Sequence, residues 1–265
     1  MSRDHRRVRF CILGVLATWA APPVSAADHN NLETGLPLAI EDAYPTKANN
    51  LEVQGILRYE RTRRDPEGAN RLALVPRFEA GIARNTQLTI EVPYRLGNAT
   101  ETRQGNFAAS LLYNFNNEGT AAPAFAAVVG VDQPFGRERG GIESELGLIA
   151  TKSLGFLGRD YVPRRLHVNA LWFHNYDRRT SERKDRYRFG AGYSQPVAND
   201  WFLLGDVYRE TDRERGKAQN FAEFGTRYQL GPLTVLSVGL GAGFGPDSPK
   251  VRVIVGFQRS LTFPY

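Results

Sequence analysis

From Leu51 to Phe263, apolar side chains return on every second residue. A helix would repeat near 3.6, so a period of two assigns the region to β-strands whose two faces meet different surroundings. Twelve such segments can be counted. The first holds Leu51, Val53, Leu57 and Tyr59, and the last holds Val251, Val253, Val255, Phe257, Leu261 and Phe263. Between them the pattern is plainest in Leu88, Ile90, Val92 and Tyr94, in Phe125, Ala127, Val129 and Val131, and in Leu236, Val238, Leu240, Ala242 and Phe244. The intervening positions are polar: Glu52, Arg58, Glu60, Arg77, Glu79, Glu91, Arg95, Glu145, His167, Asn169, Arg188, Glu223, Arg227 and Arg252 among them.

Alternation alone fits a sandwich or a barrel, because both put one face on a core and the other elsewhere. The connections separate the two. Every second one is short or weakly charged ("ARNT", "NNEGTAA", "PVAND", "LGPL"), with "LGFLGRDYVPR" the longest. The others are mostly long and charged, such as "RTRRDPEGAN", "PFGRERGGIES" and "RETDRERGKAQN". Short turns at one end, long loops at the other and an even strand count are the marks of an outer-membrane barrel. The expected fold is therefore all-β: a closed antiparallel transmembrane β-barrel of about twelve strands over residues 51–265, in a single domain.

Compartment follows from the other end of the chain. Residues 1–26 read as a secretory signal: basic "RDHRRVR", an apolar stretch from Phe10 to Ala21, then "PPVSA" with Val24 and Ala26 placed for cleavage before Ala27. The single cysteine, Cys11, lies within it, so the mature chain has no thiol and no disulfide. Setting aside Arg3, Arg6, Arg7 and Arg9 against Asp4 lowers the formal net charge from +6 to +3, which weakens the basic character as a sign of nucleic-acid binding. No apolar run of about 18 residues follows Ala26, so helical spans are excluded and an outer-membrane location is expected. Residues 27–50 are left as a periplasmic segment or a plug.

Several residues fix the phase of the pattern. "WFLLGDVYRE" is apolar on both faces, and Asp206 decides it: a carboxylate facing lipid near mid-span costs about a kcal/mol or more, so Phe202, Leu204, Asp206 and Tyr208 turn inward. A tight hairpin across "ARN" pairs Gly81 with Gln87 and sets Arg77 opposite Glu91. Pro76 cannot donate to a ladder and is expected to mark a bulge or break. Arg259 falls on the lipid-facing phase near the short-turn end, where such a charge costs roughly 0 to 1 kcal/mol. The last strand must pair with the first to remove both edges.

The candidate site residues are those expected to line the lumen and set selectivity: Arg77, Glu79, Glu91, Arg95, Arg188, Asp206, Glu223, Arg227 and Arg252. The inward glycines Gly190, Gly192, Gly225, Gly239, Gly241, Gly243 and Gly256 leave room for a solute or for residues 27–50, or serve strand curvature. Loop cations such as Arg63, Arg178 and Arg213 suit lipopolysaccharide phosphates, although charged loops are more often only solvated. His174 lies near the outer rim on the lipid face between Trp172 and Tyr176, as in an aromatic girdle. A lipid hydrolase would need a serine and an orienting group beside it. His167 points inward without metal-ligand spacing, and no nucleotide, dinucleotide or HExxH motif occurs, so neither a catalytic residue, a metal nor a cofactor is expected.

Three features together, "LPLAIEDAYPTKANNLEVQ" after the signal, the alternating strands over 51–263 and the closing "FQRSLTF", resemble the outer-membrane barrels of the phenol meta-cleavage pathway, or transporter-like, family. The resemblance implies an outer-membrane location and uptake of small, partly aromatic or hydrophobic compounds. The aromatic finish of Phe257, Phe263 and Tyr265 is similar to the signal by which the barrel-assembly machinery takes such proteins. The reading is a porin-like channel for passive uptake of a small-molecule solute, with outer-membrane lipids and lipopolysaccharide as partners and no nucleic acid. A closed structural or envelope-binding barrel and an outer-membrane lipid hydrolase are its alternatives.

Overall fold

The computed structural model describes residues 27–64, 66–100, 102–136, 141–155 and 163–261. The signal-sequence reading, Phe263 and Tyr265 lie outside the described residues. The strands are β1 (Leu51–Arg61), β2 (Asn70–Ala83), β3 (Thr86–Glu91), β4 (Tyr94–Gly97), β5 (Gln104–Asn114), β6 (Ala124–Gly136) and β7 (Glu143–Ser153). They continue as β8 (Arg165–Asn175), β9 (Asp185–Ala198), β10 (Trp201–Thr211), β11 (Ala218–Gly231), β12 (Thr234–Phe244) and β13 (Val251–Leu261). Each neighbour pair is antiparallel, and β1 bonds both β2 and β13, from Leu51↔Leu261 to Arg61↔Val251. The sheet therefore closes, and no edge is left to pair with another chain.

Strands β3 and β4 are two pieces of one span, so thirteen strands make a twelve-span barrel. The break falls at Val92 and Pro93. Pro76 stays in register within β2 opposite Gly55, and its carbonyl accepts the Val92 N–H at 3.1 Å where the neighbouring span interrupts. The disturbance expected at Pro76 thus lies across the ladder from it, at the second proline, whose carbonyl bonds Asn106 N at 3.0 Å. The β2–β3 hairpin has the register its residues imply, with Arg77↔Glu91 and Gly81↔Gln87.

The outer face is apolar and uncovered by protein: Leu148 is 62% exposed, Leu240 60% and Phe224 59%. Such a continuous surface fits a bilayer, with most strands eleven residues or longer, close to the roughly 9–11 residues that a tilted strand needs to cross the core. Aromatic pairs ring both ends. Tyr94 stacks on Phe135 toward the long loops, and Trp201 packs on Tyr228 toward the short turns. Arg259 points outward and donates to Thr234 Oγ1 at 3.2 Å.

Residues 27–50 run inside the barrel at the short-turn end. Ala27 N bonds Pro232 O at 3.1 Å, and Ala48 bridges Gly81 in parallel. The segment has almost no regular structure, yet Leu32, Leu36, Leu38, Ile40 and Ala43 are at most 3% exposed. Leu32, Leu38 and Ile40 form one cluster with Phe202 and Leu204 of β10, which explains why that strand is apolar on both faces. Leu36 joins Ile56, Ala73, Val75 and Ile254 in a second.

The inward glycines make room for this filling. A Cβ at Gly225 would stand 2.7 Å from Pro37 Cγ, and one at Gly192 would stand 3.0 Å from the Ile40 side chain. At Gly81 the obstacle is backbone: the added carbon would lie 2.0 Å from Lys47 O. Gly81→Ala is expected to cost about 1–3 kcal/mol by overpacking and to speed proteolysis of residues 27–50. Gly231→Ala, where the space is open, should change neither guanidinium unfolding nor proteolysis of the vesicle-inserted protein.

Candidate functional site

An irregular chain buried in a barrel has backbone groups that no ladder satisfies, and each unpaired one costs about 1–3 kcal/mol. Side chains on the inward phase of the strands supply the partners. Asp206 Oδ2 accepts Ile40 N at 2.9 Å and Glu223 Oε2 accepts Ala39 N at 3.2 Å. Asn169 serves Glu41 twice, accepting its N–H and donating to its carbonyl, both at 2.8 Å. Thr151 Oγ1 accepts Ala43 N, Asn114 donates to Ala43 O, and Gln87 accepts Thr46 N. Arg227, completely buried, donates to the carbonyls of Asn31 and Leu36 and to Gln258 Oε1.

Above this filling, toward the long loops, the lumen opens into a cavity of about 420 Å³. Thr34, Gly35, Leu38, Ala39 and Glu41 floor it. Its walls carry ion pairs between neighbouring strands and between strands one further apart. Arg77 bonds Glu91 at 2.7 Å, Arg188 bonds Glu210 at 2.8 Å, and Arg252 bonds Glu60 at 2.6 Å and Glu223 at 2.9 Å. Arg186 joins Glu143 and Glu210, at 2.7 and 2.8 Å. Among the described residues, Arg58, Arg95, Asp132 and Glu145 line the cavity without a salt bridge. Asp132 accepts two bonds from Asn106 Nδ2, at 2.6 and 2.7 Å.

The nine expected lumen residues therefore divide. Arg77, Glu79, Glu91, Arg95, Arg188, Glu223 and Arg252 line the cavity; Asp206 and Arg227 lie beneath it, bonded to the N-terminal segment. Glu223 faces both, holding Ala39 below and Arg252 beside it. Arg58, Asp132, Glu145, Arg186 and Glu210 are among the further lining residues, and their inward phase is the signal that identifies them.

His167 is buried between Thr151 Oγ1 at 3.1 Å and Ser194 Oγ at 2.8 Å, joining three strands. On the outer wall, His174 Nδ1 lies 2.8 Å from Asp185 Oδ1, which also accepts from Trp172 Nε1. Ser144 is the registered neighbour of His174 on β7, so a serine, a histidine and a carboxylate meet there from three strands. The Ser144 hydroxyl bonds Tyr176 Oη at 3.4 Å, and the Tyr176 ring packs on His174 edge to face. Loop cations are tied largely within the loops: Arg63 donates to Gly243 O, Arg215 to Glu182 O, and Lys217 pairs with Glu214 at 2.6 Å.

No protein-family model and no curated protein matches the chain, so the resemblance to the phenol meta-cleavage family stays at the level of architecture. Solved structures do match. An outer-membrane channel from Pseudomonas putida F1, of the group COG4313, aligns over 87% of this chain and all of its own, with 13% identity and a TM-score of 0.58. The NanC porin aligns over 80% of this chain and all of its own, at 12% identity and TM-score 0.56. The KdgM porin aligns over 79% of this chain and 99% of its own, at 10% and 0.54. At these identities the likeness establishes the fold, an outer-membrane-type barrel.

One contact ties the filling to a short turn. Tyr44 Oη donates to Glu118 Oε2 at 3.0 Å, while Lys152 Nζ and the N–H and hydroxyl of Ser153 hold the same carboxylate. Burial pushes Glu118 up, but these hydrogen bonds outweigh it and pull the carboxyl down to about 2 from 4.5. A depressed carboxyl stabilises the fold above its unfolded pKa and loses that contribution as pH falls through its folded one. Stability of the native protein relative to Glu118→Gln should be constant above about pH 4.5 and decline toward pH 2, as read by chemical unfolding across that range.

Proposed function

We propose that the chain is a porin-like channel of the outer membrane for passive passage of small polar solutes, closed at its periplasmic end by residues 27–50. The observation that carries this reading is the charged cavity of about 420 Å³ that opens toward the long loops and ends on that segment. Such loops face outward in barrels of this type, and the short turns face the periplasm. Solute entering from outside meets Arg95 on β4 and Asp132 and Glu145 on β6 and β7, and reaches Arg58 of β1 at the floor, where its guanidinium lies against Gly35. Charges of both signs without salt-bridge partners suit a zwitterion or a small ionised molecule. The aromatic faces in the cavity, Phe173 and Tyr208, are overlaid by Arg186, Arg188 and Arg252, which favours polar solutes over the aromatic or hydrophobic ones that the family resemblance implies. Passage through the barrel then requires the segment to yield.

Single-channel conductance in a planar bilayer tests this. The mature chain should show low or intermittent conductance, and a form lacking residues 28–48 a several-fold larger and steady one. Asp132→Asn with Glu145→Gln in the shortened form should move its reversal potential toward anion preference. If both forms are folded, inserted and silent, the barrel is closed and its role is structural.

A second reading, lipid hydrolysis, is favoured by the meeting of Ser144, His174 and Asp185 at the interfacial depth where acyl esters lie. Such chemistry needs the serine hydroxyl on the histidine and donors for the oxyanion. Here Ser144 bonds Tyr176, and Leu146, Trp172 and Tyr187 are the neighbours on that face. Protein reconstituted in phospholipid vesicles should release no more fatty acid than its Ser144→Ala variant; release that depends on Ser144 would make hydrolysis the function.

A further inference from the structure

Where the N-terminal segment meets β1 and β2, three carboxylates converge. Glu33, Glu52 and Glu79 are 2%, 3% and 2% exposed, and one oxygen from each lies within 4.8 Å of the others. Like charges so close in a dry site repel strongly unless a counter-charge joins them. The nearby cations are committed elsewhere. Arg77 is bonded to Glu91 and approaches Glu79 only to 3.9 Å. Arg227 donates to the Asn31 and Leu36 carbonyls and to the Gln258 amide, none of them a carboxylate.

Neutral donors satisfy part of the cluster. Gln54 Nε2 donates to Glu33 Oε2 at 2.5 Å, Gln258 Nε2 to Glu33 Oε1 at 3.1 Å and to Glu52 Oε2, and Asn50 and Ser260 to Glu52 Oε1 at 2.8 and 3.1 Å. Glu79 Oε2 receives nothing: it is a buried carboxylate oxygen with no hydrogen-bond partner. A lone acidic cluster says little, but an orphaned oxygen on a side chain 98% withdrawn from solvent leaves one buried acceptor open to a ligand of positive charge.

We infer that Glu33, Glu52 and Glu79 bind one Ca²⁺, which pins the N-terminal segment to the barrel wall. The donors are hard oxygens, which excludes soft metals. Ca²⁺ takes six to eight oxygens at about 2.3–2.6 Å in flexible geometry, so ligands up to roughly 5 Å apart fit around it; Mg²⁺ binds at about 2.0–2.1 Å, demands near-octahedral geometry and dehydrates reluctantly. One ligand comes from the segment and two from the strands, so the ion is held only while the segment is docked. The inference rests on the position of residues 27–50 in the lumen and deepens the plug reading without depending on transport.

Equilibrium dialysis with labelled Ca²⁺ tests it, using the mature protein folded in phosphatidylcholine vesicles free of lipopolysaccharide and excess Mg²⁺ as competitor. One Ca²⁺ per chain is expected, with affinity lowered about tenfold or more in Glu79→Gln and, on the segment itself, in Glu33→Gln. The chain lacking residues 28–48 should lose the site while remaining a folded barrel. No bound Ca²⁺, binding indifferent to both substitutions, or displacement by equimolar Mg²⁺ would overturn the assignment. Because nothing is conducted in the assay, its failure leaves the channel reading to stand or fall on conductance.

Discussion

An irregular stretch of backbone inside a barrel must find hydrogen bonds that its own conformation does not provide, and that requirement organises the lower half of this molecule. Asp206, Glu223, Asn169, Thr151, Gln87, Asn114 and Arg227 turn their polar atoms to the amides and carbonyls of residues 31–46. With about 1–3 kcal/mol lost for each buried group left unpaired, the match between wall and filling decides whether the segment stays. The apolar part follows the same geometry. Leu32, Leu38 and Ile40 sit against Phe202 and Leu204, and Gly192, Gly225, Gly239 and Gly256 leave the space that Leu36, Pro37, Leu38 and Ile40 occupy.

The lumen consequently has two regimes along its axis. Toward the short turns, polar side chains answer backbone groups and little is left for a solute. Toward the long loops, side chains answer one another in ion pairs, and Arg58, Arg95, Asp132 and Glu145 remain for whatever enters. The outer wall obeys a separate rule, apolar across the middle and aromatic at both rims. Arg259 is accommodated where a charge on the outer face is least costly.

The alternation makes the barrel legible in the sequence, since a face that must meet lipid tolerates few exceptions. Asp206 gave the phase of β10, and the "ARN" turn gave the Arg77↔Glu91 register, because each is a local constraint with one solution. The bulge or break expected at Pro76 is not there, since β2 runs through it in register; the interruption falls at Val92 and Pro93 of the neighbouring span, which the period of two does not locate. The division of inward charges into cavity lining and segment anchors was not legible. A carboxylate that accepts a backbone amide and one that faces water occupy the same position in a period of two. Ser144, His174 and Asp185, and likewise Glu33, Glu52 and Glu79, come together from separate elements, and nothing in their local spacing announces it.

The central claim is that residues 27–50 are a bonded part of the barrel interior. Hydrogen–deuterium exchange of the mature protein in lipid vesicles measures it most directly, at the amides of Leu32, Ile40, Ala43 and Thr46 that the structure pairs with Asp42, Asp206, Thr151 and Gln87. The account predicts protection at these four approaching that of the strands around them. Exchange at the rate of an unstructured chain, with the strands still protected, would contradict it.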